Sequence, residues 1–75
     1  MLTVWKRDQL NRRIGIECPA CGLRLVVADP VLAAIEDGVV VIVRCLGAEC
    51  RTGIEVDLAA LGGYLWAPPR PNEVL

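Results

Sequence analysis

Four cysteines, Cys18, Cys21, Cys45 and Cys50, are the residues of this chain whose type and spacing can do chemistry. They form two pairs, Cys18-Pro-Ala-Cys21 and Cys45-Leu-Gly-Ala-Glu-Cys50, with 23 residues between the pairs. A Cys-x2-Cys turn lets two thiolates converge on one ion, and Gly22 directly after it suits the backbone angles of such a turn. The second pair has four intervening residues, a wider loop still within zinc-site spacing, in which Gly47 is expected to supply flexibility. Zinc takes four soft donors at tetrahedral corners, with sulfur at about 2.3 Å. The spacing therefore predicts one structural Zn2+ held by Cys18, Cys21, Cys45 and Cys50. With four protein ligands no coordination position stays open for water or substrate, so the metal is expected to be structural rather than catalytic. Iron held by four cysteines is the competing metal, because ligand type alone does not separate the two.

Two other chemistries use paired cysteines. A disulfide framework belongs to oxidising compartments, and the opening Met1–Leu10 lacks the apolar stretch of about 7–15 residues that marks a signal peptide. A reducing cytoplasm (or an infected cell or virion) is therefore the expected location. A thioredoxin-like dithiol should open a helix within a βαβ unit, whereas Cys18-Pro-Ala-Cys21 is followed by the strand-like Leu23–Val27.

The rest of the composition narrows the function. The chain has no His, Ser or Phe, so Ser-His and Cys-His nucleophile pairs are closed to it. Only carboxylates such as Glu17, Glu36 and Asp37 could act as acid or base, and Glu36-Asp37 more simply ends a helix. The expectation is no enzyme and no small-molecule substrate. The longest aliphatic run, Val39–Val43, is far too short to span a membrane. Eight basic and nine acidic side chains give a formal charge of −1, and a divalent ion on four thiolates would take it to −3. The charge is unevenly spread: residues 1–24 carry five cations and two anions, residues 25–75 three cations and seven anions.

A chain of 75 residues buries only about 60% of its unfolded surface, which makes an apolar core alone a marginal support for the cysteines. A structural zinc, with an apparent binding energy of ~10–16 kcal/mol, offsets that deficit. Residues 1–13 read as a basic N-terminal arm whose Trp5 packs back on the domain. Alternation in Arg13–Glu17 predicts a strand with Ile14 and Ile16 on one face, and Leu23–Val27 its return strand with Arg24 outward. Asp29 and Pro30 have the chemistry of an N-cap and first helical residue, and Gly38 that of a terminator, for a short helix with Leu32 and Ile35 inward. The β-branched Val39–Val43 favours a strand buried on both faces and delivers Cys45. Gly53–Leu58 alternates, with Ile54, Val56 and Leu58 inward. Leu58–Leu61 has the pattern of a helical turn stopped by Gly62-Gly63, before an extended proline-rich end. The expected fold is a small metal-stabilised α+β domain, a zinc ribbon with two cysteine turns, about four short antiparallel strands and one short helix. Its parts are a basic arm (1–13), the ribbon domain (14–58) and an apolar, proline-rich C-terminal tail (59–75).

The segments Ile16–Val26, Val41–Cys45 and Cys50–Val56 together resemble a zinc ribbon, and among zinc ribbons the small phage Com family of translational regulators. The shared features are a Cys-x2-Cys turn followed by leucines, a hydrophobic strand ending in an Arg-Cys step, and a second cysteine turn, over residues 14–57. The resemblance implies zinc on Cys18, Cys21, Cys45 and Cys50, and RNA binding.

Two functions are then in play. The first is protein interaction with a partner or second copy, through a tail that gathers Leu61, Tyr64, Leu65, Trp66 and Val74, since Tyr and Trp are favoured interface anchors. The second is nucleic-acid binding by Trp5, Lys6, Arg7, Arg12 and Arg13, with Arg24, Arg44 and Arg51 near the cysteine turns: cations meet phosphates and Trp stacks a base. The interaction module is the leading reading.

Overall fold

Ile14 and Ile16 alternate with Gly15, and that alternation builds the centre of the fold. In a computed structural model that describes residues 2–66, strand β2 (Arg13–Glu17) lies between β1 (Val4–Asp8) and β3 (Arg24–Ala28) in an antiparallel sheet. Ile14 pairs with Val27 and Ile16 with Leu25, so all four side chains share the core-facing side and are buried. Helix α1 (Val31–Glu36) follows, then β4 (Val41–Arg44) and β5 (Gly53–Val56), which pair antiparallel as a second, two-stranded sheet. Leu32 and Ile35 of α1, with Ile54 and Val56 of β5, enclose the same core. The architecture is α+β, as expected, and the described residues hold one short helix and five strands rather than about four.

The additional strand corrects the expected N-terminal arm. Val4–Asp8 hydrogen-bonds along β2, with a bulge between Val4 and Lys6 that sets Trp5 out of the regular register. The hairpin turn carries its own chemistry. Asn11 donates from its backbone N–H and its side-chain amide to the Asp8 carboxylate, at 3.2 and 2.9 Å, and holds that carboxyl below its ordinary range. The Trp5 ring lies over Gly15, where any Cβ would overlap it, and its Nε1 donates to the Ile16 carbonyl at 3.1 Å.

The helix is one residue out of the expected phase. Pro30 occupies the N-cap rather than the first turn, and Asp29, one residue earlier, accepts from the Ala33 N–H at 3.1 Å. Asp29 also pairs with Arg12, whose guanidinium reaches Glu36 as well, tying the first hairpin to α1. Gly38 ends the helix at φ +86°, in the left-handed region expected of it.

The described part of the expected tail, residues 59–66, packs onto the domain. Asp57 caps the turn Leu58–Leu61 by accepting from the Ala60 N–H at 2.8 Å, and Gly62 and Gly63 stop it at φ +92° and +94°. The turn sends Leu61 and Leu65 into the core, where they are 1% and 4% exposed. Arg7 fastens it there, donating to the carbonyls of Leu61, Tyr64 and Leu65 at 2.6–2.8 Å, with its guanidinium 4.4 Å from the centre of the Tyr64 ring. Residues 67–75, including Val74 and the prolines, lie outside the described residues.

Strand β4 departs most from expectation. Val39–Val43 does not form a strand buried on both faces. Pairing begins at Val41, while Val39, Val40 and Ile42 are about half exposed. The inner face has the core and α1 to pack on, and among the described residues no element covers the outer one.

Candidate metal centre

The first cysteine turn sits between the end of β2 and the start of β3. The Cys18 N–H donates to Leu23 O at 2.9 Å and the Gly22 N–H to Cys18 O at 2.8 Å, closing a tight loop that needs Gly22 at φ +79°. The second turn links β4 to β5. Cys45 N–H donates to Thr52 O at 2.9 Å, Cys50 N–H to Gly47 O at 3.2 Å, and the residue after the turn, Arg51, adopts φ +49°. Gly47 contributes space rather than the expected flexibility. A Cβ there would lie 3.3 Å from the Cys50 Cβ and 3.6 and 3.8 Å from the sulfurs of Cys45 and Cys21.

The two turns bring all four sulfurs within 4.8 Å of one another, with Cys18–Cys50 and Cys21–Cys45 each at 3.6 Å. Four sulfurs at tetrahedral corners, each about 2.3 Å from a central ion, are about 3.8 Å apart. The separations match that geometry and are far longer than a disulfide bond of about 2.05 Å; all four cysteines are free. The nearest pairs run between turns, so one ion would fasten both sheets together. Cys18 and Cys45 are buried, Cys50 is half-buried and Cys21 is exposed. The strand β3 follows the first turn, not the helix a thioredoxin-like dithiol requires.

Local hydrogen bonds tune the thiols unequally. The Gly47 N–H, 3.5 Å from the Cys45 sulfur, favours its thiolate, but burial and the crowding of three other sulfurs outweigh it and push the thiol up to about 12. The Leu23 N–H is likewise outweighed at Cys21, which is raised by burial and by Cys50 and Cys18. Cys50 goes the other way. The Thr52 hydroxyl, 3.1 Å from its sulfur, and a Thr52 backbone hydrogen bond hold it down to about 6. An incoming cation would supply the charge that the crowded sulfurs lack. Thr52 is a supporting residue that cysteine spacing does not reveal; its only sequence signal is a hydroxyl two places after Cys50.

The remaining predicted site residues do not gather into one surface. Trp5 covers Gly15 and is 37% exposed, with the Arg24 guanidinium 5.3 Å from its ring centre. Arg7 is spent on the carbonyls of the Leu61–Leu65 turn, and Arg12 on Asp29 and Glu36. Lys6 and Arg13 are exposed. Of the four described residues expected to meet a partner, Leu61 and Leu65 are core, a correction that follows from the turn folding back. Tyr64 is exposed beside Arg7, and Trp66 is half-buried against the core. Sequence reasoning missed the outward-facing Val40 and Ile42, and Leu46, which is 82% exposed.

Among the described residues no helix is long and apolar enough to cross a membrane. No protein-family model, no curated protein and no solved structure matches the chain.

Proposed function

We propose that this chain is a non-catalytic zinc-ribbon module that acts by binding another protein, as a small assembly component or adaptor of phage or bacterial origin. The metal's role in this reading is structural. Zinc suits four thiolates, needs no redox chemistry, and supplies the stability that so short a chain otherwise lacks. The observation that carries the reading is the uncovered outer face of β4. Ile42 on the outer face of β4 is 58% exposed, Val39 and Val40 just before the strand are about half exposed, and Leu46 continues the apolar surface into the second cysteine turn. In this reading the interaction surface lies on β4 rather than on the Leu61–Trp66 segment.

A photo-reactive residue at position 42, in the zinc-loaded full chain in cells, tests the reading. Adducts with a discrete protein are expected from position 42 and not from position 6. Equal yields at the two positions, or adducts with nucleic acid alone, would reject it.

A second reading, a Com-like regulator that binds nucleic acid, draws on the exposed Lys6 and Arg13 of the first hairpin. It is weakened by the engagement of Trp5, Arg7 and Arg12 within the fold. A gel shift with RNA and DNA at about 50 mM salt separates the two, because phosphate contacts are strongest at low ionic strength.

A further inference from the structure

Beyond the end of β4 the surface opens into a recess of roughly 480 Å3, lined by Arg44, Cys45, Leu46, Gly47, Ala48 and Arg51. Its volume falls within the range of sites that take a small group or a few side chains. Two features give it a chemical preference. Arg44 and Arg51 both line it, no carboxylate does, and neither guanidinium forms an ion pair among the described residues. Arg12 and Arg24, by contrast, each face an acid. Arg44 is also oriented, since its Nη1 donates to the Arg51 carbonyl at 3.2 Å, and the left-handed backbone of Arg51 fixes the start of its own side chain.

The recess is continuous with the apolar face of β4. Side chains on a strand alternate, so Ile42 and Arg44 point to the same, outer side, and Val40 just before the strand is also half exposed. Ile42 is flanked on β5 by its register partner Glu55 and by Gly53, where a Cβ would be 3.2 Å from its Cγ2. A ligand here meets two guanidiniums at one end and aliphatic groups at every second residue along the other. The lining contains no aromatic ring to stack a base. Glu49 and Glu55 are exposed nearby in sequence and on β5, which disfavours a long polyanion more than a single carboxylate.

We infer that the β4 face and this recess bind an extended acidic peptide segment of the partner. A Glu or Asp side chain enters between Arg44 and Arg51, and aliphatic residues at alternate positions cover Ile42 and Val40. The inference rests on the protein-binding reading above and specifies the partner's chemistry. Guanidinium forks accept a carboxylate through paired charged hydrogen bonds, and the period of two in an extended peptide matches the period of two on β4.

The test uses the zinc-loaded full chain and an acetylated, amidated peptide with Glu, Leu and Leu at alternate positions and Thr between them. Amide resonances over residues 40–51 are expected to shift on titration. Replacing the peptide's Glu by Gln, which alters nothing in the protein, should weaken binding about tenfold, and so should R44E or R51E with zinc content intact. Equal affinity for the Glu and Gln peptides, or resonances unmoved at millimolar peptide, overturns the inference. So does an RNA oligonucleotide that displaces the peptide and itself loses binding in R44E, because it assigns the recess to phosphate. Failure of the wider reading looks different: position 42 would then capture no protein in cells. Protein adducts at position 42 that persist unchanged in R44E/R51E would sink the acidic-segment inference alone.

Discussion

The β1–β2–β3 sheet and the β4–β5 pair use similar residues and treat their outer faces differently. On the first sheet Trp5 lies over Gly15, Arg24 sits beside the Trp5 ring, and Arg7 draws the Leu61–Leu65 turn inward. On the second, Ile42 faces outward at 58% exposure next to Glu55 and Gly53. The first sheet's outer face is partly covered by Trp5 and still leaves Val26 56% exposed, whereas on the second no described element lies over Ile42. A domain of this size needs every apolar contact it can make, so leaving β-branched residues outside is costly unless another molecule covers them. Both sheets feed the core, through Ile14 and Ile16 on one and Ile54 and Val56 on the other, and they differ in what covers their outer faces.

Removing the metal tests whether the two sheets depend on each other. Chelation, or Cys18→Ser, should abolish the folded circular-dichroism signal of both sheets together, since the closest sulfur pairs run between the turns. A chain that keeps its β signal after chelation breaks the idea of one shared staple. The next largest effect contrasts the cores. At fixed zinc concentration Leu32→Ala should cost about 2–5 kcal/mol in denaturant unfolding, while Ile42→Ala should stay within about 0.5 kcal/mol. Comparable losses would mean that the outer face of β4 is covered in the isolated chain.

Smaller changes sharpen the description of the first sheet. Gly15→Val should lower stability by about 1–3 kcal/mol through overlap with the Trp5 ring, and Trp5→Ala in the same chain should recover part of the loss. Arg7→Met should cost about 2 kcal/mol by leaving the Leu61, Tyr64 and Leu65 carbonyls without their charged donor, and should quench protection of the Leu65 amide in hydrogen exchange. The smallest effect is electrostatic. The Arg12 guanidinium holds the Asp29 carboxyl below its ordinary 3.8, so the ion pair's contribution is present above that pH and is lost as pH falls through the lowered value. A carboxyl chemical-shift titration should show Asp29 returning toward its ordinary range in Arg12→Leu.

The thiol cluster was the most legible feature, because each cysteine turn is a local structure with its own signals. Pro19 and Gly22 shape the first turn, and the Arg44-Cys45 step ends a strand. The Gly38 stop and the Gly62-Gly63 stop were legible for the same reason: positive φ favours glycine wherever it occurs. Strand β1 was not. Its five residues include Lys6, Arg7 and Asp8, which read as solvent-exposed, and the Asp8–Asn11 turn that returns the chain is a weak signal without a partner strand in view. The Leu61–Trp66 segment misled for a related reason. Its apolar residues could equally serve a core or an interface, and the choice depends on Arg7, more than fifty residues away in the chain.

Residue order alone determined which groups could meet an ion, where the chain must turn, and which strand residues share a side. These follow from donor chemistry, backbone sterics and the two-residue strand period, all of which act over a few neighbouring positions. Tertiary structure decided which apolar surfaces are covered and which arginines meet an acid within the fold. Coverage and charge pairing are properties of groups brought together from distant parts of the chain, so Ile42 and Leu61, equally apolar on paper, end on opposite sides of the protein surface.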